Sequence, residues 1–249
     1  PSYLALRASR PFLAVSSGFV GTASDGLTEL DATHSLAPAY STAAGGNVEQ
    51  TAEVQLDGHG STTLALGFGS TQAGAVAAAG ATIGTPLEDL QERYADGWHE
   101  YDAELRSPSE HLPGLTRTQQ RAAEREYFVS ANVLKASEDK TFPGAIVASL
   151  ASPWGQAVSA GDLNNTYFGS YREVFARDLY EAFTGLLTDG DLATARDATR
   201  FLLLRQQQAD GSMPRNSLVN GKTAPDSFNT QLDEAAYPIL MALQSGLAR

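Results

Sequence analysis

The hydrophobic period changes once along this chain, near Thr85, and that change limits the fold more than any single motif. Before it the sequence is rich in Gly, Thr, Ser and Ala, and its apolar residues recur at every second position. Thr62, Leu64, Leu66 and Phe68 share one face of such a run, which predicts a strand over 61–68 facing a core. Residues 47–56 read as its hairpin partner, with Asp57-Gly58-His59-Gly60 as the turn. Residues 2–8 and 11–16 are further strands, and 37–46 is loop-like. Residues 1–84 are therefore expected to form part of an antiparallel β-sandwich.

At Thr85 the period becomes helical. Thr85-Pro86-Leu87-Glu88 reads as a capping box with proline at the first helical position. Leu87, Leu90, Tyr94, Trp98, Tyr101 and Leu105 then recur at spacings of three and four, the mark of an amphipathic helix. Two prolines and a glycine break it between Ser107 and Gly114, so 85–114 reads as a helical linker. Beyond it, Thr116-x-x-Gln119 caps a helix to about Ser137. Helices over 171–188 and 191–208 end at Asp189-Gly190 and Asp210-Gly211. A last one starts at Thr230-x-x-Asp233. Residues 145–152 are apolar and fit either a strand or a buried turn.

The 249 residues suffice for one large domain or two ordinary ones, and at 42% hydrophobic they can fill a core. The net charge of −12 argues against nucleic acid, whose phosphates require clustered Lys and Arg, and against an anionic membrane surface. A neutral ligand suits such a chain. Cysteine is absent, which excludes disulfides and thiolate metal sites but does not assign a compartment. No apolar run approaches the ~20 residues of a membrane span.

The sharpest chemical signal is Tyr171-Arg-Glu-Val-Phe-Ala-Arg177-Asp178-Leu-Tyr180, which sets an Arg and an Asp at the head of an apolar helix. A guanidinium fork and a carboxylate together can grip neighbouring hydroxyls on one ring, the pattern a sugar presents. A buried ion pair fixing the helix start is the structural alternative, and on these residues alone the two stand level. Tyr171 could press against a ligand or be half-buried core. The polar segment from Asp210 through Arg215-Asn216 to Lys222 is long for a plain helix connection. Asp233 and Glu234 read as complements to a helix dipole. Adjacent helical residues point about 100° apart, so they do not form an acid/base pair across one bond. The four histidines, His34, His59, His99 and His111, lack metal-ligand spacing. Trp154, in Ser152-Pro-Trp-Gly155, could stack on a sugar face or anchor a core, and Asn164-Asn165-Thr166 matches the short N-glycosylation pattern.

The order of segments is more specific than any one of them. Asp139-Lys-Thr-Phe-Pro-Gly-Ala-Ile-Val-Ala-Ser, Ser152-Pro-Trp-Gly, Tyr171 to Asp178, Gly190-Asp191, Asp210-Gly-Ser-Met-Pro-Arg-Asn216 and Gln231-Leu-Asp-Glu follow one another as in glycoside hydrolase family 15, the glucoamylases. The sequence resembles most its bacterial branch that includes glucodextranase, from about residue 60 onward. That resemblance implies a multi-domain fold: the C-terminal part of a β-sandwich (1–84), a helical linker (85–114), and the N-terminal portion of an (α/α)6 barrel (115–249). It implies that Arg177 and Asp178 hold the non-reducing-end glucose, that Tyr171 lines the same pocket and that Gln231 lies near the ligand. Where many members carry a stacking Trp this chain has Ser227, and the adjacent Phe228 is the expected substitute.

The implied activity is exo-acting, inverting release of glucose from an α-glucan, outside the cell, with no cofactor required; calcium is compatible with the acidic loops. Linkage preference, α-1,4 or α-1,6, stays open. The family's general acid and general base are glutamates without a matching motif here. The chain is therefore expected to supply substrate binding only, as a piece of a larger enzyme whose remainder carries the acid/base pair. A non-catalytic carbohydrate-binding fragment, and another (α/α)6 enzyme such as a trehalase-like hydrolase or a polysaccharide lyase, are the alternatives.

Overall fold

A computed structural model describes residues 3–36, 40–108, 113–150, 171–227 and 230–248. It divides into two compact units, the described residues up to Asp96 in the first and those from Gly97 onward in the second.

In the first unit, β1 (Tyr3–Ala8) pairs antiparallel with β4 (Leu64–Gly69), and β2 (Phe12–Phe19) with β3 (Val48–Val54). The hairpin expected between 47–56 and 61–68 does not form. Its turn does: the Asp57 carboxylate accepts from the amides of His59 and Ser61 at 2.8 and 3.0 Å, with Gly60 at φ +77°. The strands that leave this turn separate, because β1 and β2 supply each with a partner from earlier in the chain.

Two helices also lie where only strands and loops were expected. Asp25 caps α1 (Gly26–Thr33) by accepting from the Thr28 amide at 2.9 Å. The Ala-rich α2 (Gln72–Ile83) packs on β1 and β4 through the buried Ala75 and Ala79. This packing reverses the predicted face of β4. A Cβ on Gly67 would lie 2.2 Å from the Ala75 carbonyl oxygen, so the Ala65-Gly67-Gly69 side meets the helix. Leu64, Leu66 and Phe68 point the other way, as strand alternation requires, and are exposed beside Leu4 and Leu6 of β1. A helix of alanines can approach only a surface equally free of side chains.

α3 (Leu87–Glu104) follows the predicted helical spacing, but Thr85 is not its cap. The Thr85 hydroxyl donates back to the Ala81 carbonyl at 3.1 Å instead. The second unit is helical: α4 (Arg117–Ala136), α5 (Ala176–Asp189), α6 (Leu192–Phe201) running into a π-helical turn (Leu202–Gln206), and α7 (Leu232–Gln244). Thr116 and Gln119 form the capping box of α4 as the sequence predicts. α5 starts five residues later than expected, because 171–175 is extended and enters a short antiparallel pair of β5 (Val174–Phe175) with β6 (Asn216–Ser217). Segment 145–150 is a turn-like connection with one bridge from Ile146 to Glu138.

The core of this unit gathers Leu179, Phe183 and Leu186 of α5, Ala195, Ala198 and Phe201 of α6, Leu202 and Met241, all essentially without exposure. Positions 179, 183 and 186 repeat at helical spacing on one stripe of α5. Each large side chain buried there stabilises by roughly 1.5–3 kcal/mol. Around the core, Tyr101 donates to the Asp191 carboxylate at 3.1 Å, and Lys135 donates to Glu138 and to the Thr194 hydroxyl, both at 2.7 Å. Asp191 also caps α6 through the Thr194 amide. α3, α4 and α6 are thus tied at one corner. No described helix is long and apolar enough to cross a membrane.

Candidate functional site

The N-termini of α5 and α7 meet in the second unit, and most of the predicted residues gather there. β5 delivers the chain into α5, so Arg177 and Asp178 fall on the first helical turn. Both are exposed, so the two do not make a buried pair at the helix start. Nor do they pair with each other. Arg177 bonds across to α7, where its guanidinium donates to Asp233 and, through both terminal nitrogens, to the Gln231 side-chain oxygen at 3.4 Å. The Asp178 carboxylate makes no bond with another described residue. The arrangement is a fork held from behind with a carboxylate beside it.

α7 begins at Leu232, with extended Gln231 as its N-cap residue and no side-chain cap bond, so the expected Thr230 cap is not the one formed. The first turn of α7 sends its two carboxylates apart, as 3.6 residues per turn demands. Asp233 reaches out to Arg177. Glu234 turns inward, is completely buried, and accepts from the Ala176 amide at 2.7 Å. Its other oxygen, Oε1, has no partner among the described residues. Burial pushes the Glu234 carboxyl up to about 7, with neighbouring Asp233 and Asp178 adding to the rise; the Ala176 amide and Arg177 oppose it. The sequence reading assigned Glu234 only to its own helix dipole. It acts on a different helix.

A polar layer supports this end of α5. Asn216, fully buried on β6, donates to Glu173 and, at 2.9 Å, to Asp226. Arg215 completes it, donating to Asp226 at 3.2 Å while its guanidinium carbon lies 5.7 Å from the centre of the Phe175 ring. Tyr171, partly exposed, meets Phe175 edge to face at 6.2 Å between ring centres. Tyr171, Phe175 and Arg215 thus form a continuous aromatic and cationic ledge next to the α5 N-terminus. The long 210–227 segment is therefore a structured element: it contributes β6, buried Met213 and the ion pair of Arg215 with Asp226. Phe228 lies outside the described residues, as do Trp154, Asn164 and His111. Ser227, which stands where the resemblance implies a stacking Trp, accepts from the Asn216 amide at 3.4 Å.

Glu234, Glu173, Asn216 and Asp226 were missed as site residues. A signal for Glu234 existed in the sequence: α5 starts after Phe175, which has no side-chain acceptor for the first amides. A helix start that lacks Ser, Thr, Asp or Asn needs an acceptor from elsewhere. A cleft of about 330 Å3 lined by Tyr127, Ala131, Leu134, Thr184 and Gly185 includes none of the predicted residues.

A family model described as glucodextranase, domain N, matches residues 1–103. Over 240 residues, 96% of this chain, the sequence is 31% identical to a glucoamylase of Clostridium sp. (strain G0005) and covers 31% of that protein. Among solved structures, a bacterial glucoamylase crystallised in complex with acarbose matches with a TM-score of 0.80 and 29% identity, over 99% of this chain and 33% of that one. The chain therefore spans about a third of the length of these relatives.

Proposed function

We propose that this chain, a relative of the bacterial glucoamylases and glucodextranases of glycoside hydrolase family 15, forms the sugar-gripping part of an exo-acting, inverting α-glucosidase. Its two-stranded sheets would belong to a β-sandwich and its helices to an (α/α)6 barrel. The substrate is an α-glucan and the setting extracellular. The observation that carries the reading is the first turn of α5, where Arg177 is braced by Gln231 and Asp233 while Asp178 presents a carboxylate with no described partner.

The chemistry follows from those groups. A carboxylate accepts from two adjacent sugar hydroxyls, and a guanidinium donates to ring or hydroxyl oxygens. Held together, they fix the terminal ring against rotation, and the exposed edge of Tyr171 provides an apolar surface beside it. Orientation lowers the barrier by removing freedom before the reaction step. Acid/base work belongs to two glutamates carried by the remaining two thirds of the enzyme. Inversion needs those carboxyls about 6.5–9.5 Å apart with water between them.

Two measurements test the reading. Calorimetry of this chain with isomaltotriose and maltotriose should show heat of binding, lost in Asp178→Asn. In an enzyme containing the chain, the same substitution should lower kcat/KM by roughly two or more orders of magnitude. Activity within a few-fold of the unaltered enzyme would remove Asp178 from the site. The anomer of the glucose first released, read by NMR, decides inversion.

A further inference from the structure

α5 is capped by another helix. Its N-cap residue, Phe175, offers no side-chain acceptor, and the Ala176 amide instead donates to Glu234 on α7. The first amides of any helix lack partners within it, and an uncapped first turn frays. In this chain that turn carries Arg177 and Asp178. Three residues of one short segment hold it: Glu234 the backbone, Gln231 and Asp233 the Arg177 side chain.

We propose that Glu234 is a positioning residue: by capping α5 from α7 it fixes the first turn of α5 and so sets the directions of Arg177 and Asp178. The proposal deepens the sugar-gripping reading and rests on it for the identity of the ligand. Three observations set Glu234 apart from an ordinary surface carboxylate. It is fully buried, its bonded oxygen is spent on a backbone amide, and its second oxygen is unpartnered among the described residues. The charged groups around it are Arg177 and Asp178 from α5 and Asp233 from α7, so the state of its proton is coupled to the site it supports. Neutral or ionised, the side chain can accept from Ala176, and glutamine reproduces the neutral form.

The test uses the full chain and three forms of it, unaltered, Glu234→Gln and Glu234→Ala. The first readout is amide hydrogen exchange by NMR at Ala176, Arg177 and Asp178. Glu234→Ala should speed exchange there about tenfold, with Phe183 and Leu186 unchanged, and Glu234→Gln should stay within about threefold of the unaltered chain. The second is isomaltotriose affinity, which should fall about tenfold in Glu234→Ala and be rescued in Glu234→Gln. If Glu234→Ala fails to fold, the Ala176 amide resonance decides: it should shift as pH passes through 7 in the unaltered chain and not in Glu234→Gln.

Unchanged exchange in Glu234→Ala, or an Ala176 amide resonance at the same position in the unaltered chain and in Glu234→Gln at every pH, overturns the positioning role. Faster exchange with unchanged affinity overturns its consequence for the ligand. If the unaltered chain binds no sugar while exchange still follows Glu234, the sugar reading fails and the positioning of the turn stands.

Discussion

Glu234 contributes to stability with a sign that can be worked out. Its carboxyl titrates near 4.5 in the unfolded chain and is pushed up to about 7 by burial in the folded one. Between those values the folded state binds the proton more tightly, so its contribution is fully present below pH 4.5 and is lost as pH rises through 7. The loss is on the order of 3 kcal/mol. Urea unfolding of the chain and of Glu234→Gln from pH 4 to 8 should give curves whose difference changes across that window. Parallel curves would place the carboxyl in a more solvated setting. At this scale the sequence was partly legible. It placed Arg177 and Asp178 at a helix start, leaving open whether they were buried, and showed that Asp233 and Glu234 must diverge. It could not show that Arg177 turns to Asp233 and away from its neighbour, because that choice is made by a residue more than fifty positions away.

Elements marked by strong contrast were readable, and those without it were not. α4 announces itself with a capping box and alternating charged and apolar faces, and forms as expected. α2 is mostly Ala and Gly, with no polar face to set against an apolar one, so periodicity says little about it. The strand pairs were misread for a related reason: local turn chemistry identified the Asp57 turn, but pairing is decided by strands far apart in sequence. β4 and α2 also yield a prediction. Gly67→Ala would drive a Cβ into the Ala75 carbonyl and the Ala79 amide. Backbone atoms cannot step aside as a side-chain tip can, so α2 should lift from the sheet at a cost of about 2–3 kcal/mol. Thermal unfolding measures it, and a melting temperature within a degree of the unaltered chain would mean that α2 docks elsewhere.

For the whole molecule, the charge of −12 separates partners by their chemistry. A neutral glucan gains nothing from counterion release, whereas a polyanion would be repelled at low salt. Isomaltotriose affinity should therefore change by less than about twofold between 0.05 and 0.5 M NaCl. A steep salt dependence would point to a charged ligand.

The outer face of β1 and β4 has a consequence of another kind. Leu4, Leu6, Leu64, Leu66 and Phe68 stand there in register, each about half or more exposed. Contiguous oily surface of this sort is what molecular chaperones and proteases sample on a newly made chain. While that face is bare, these five side chains mark where a chaperone or a protease would engage the polypeptide.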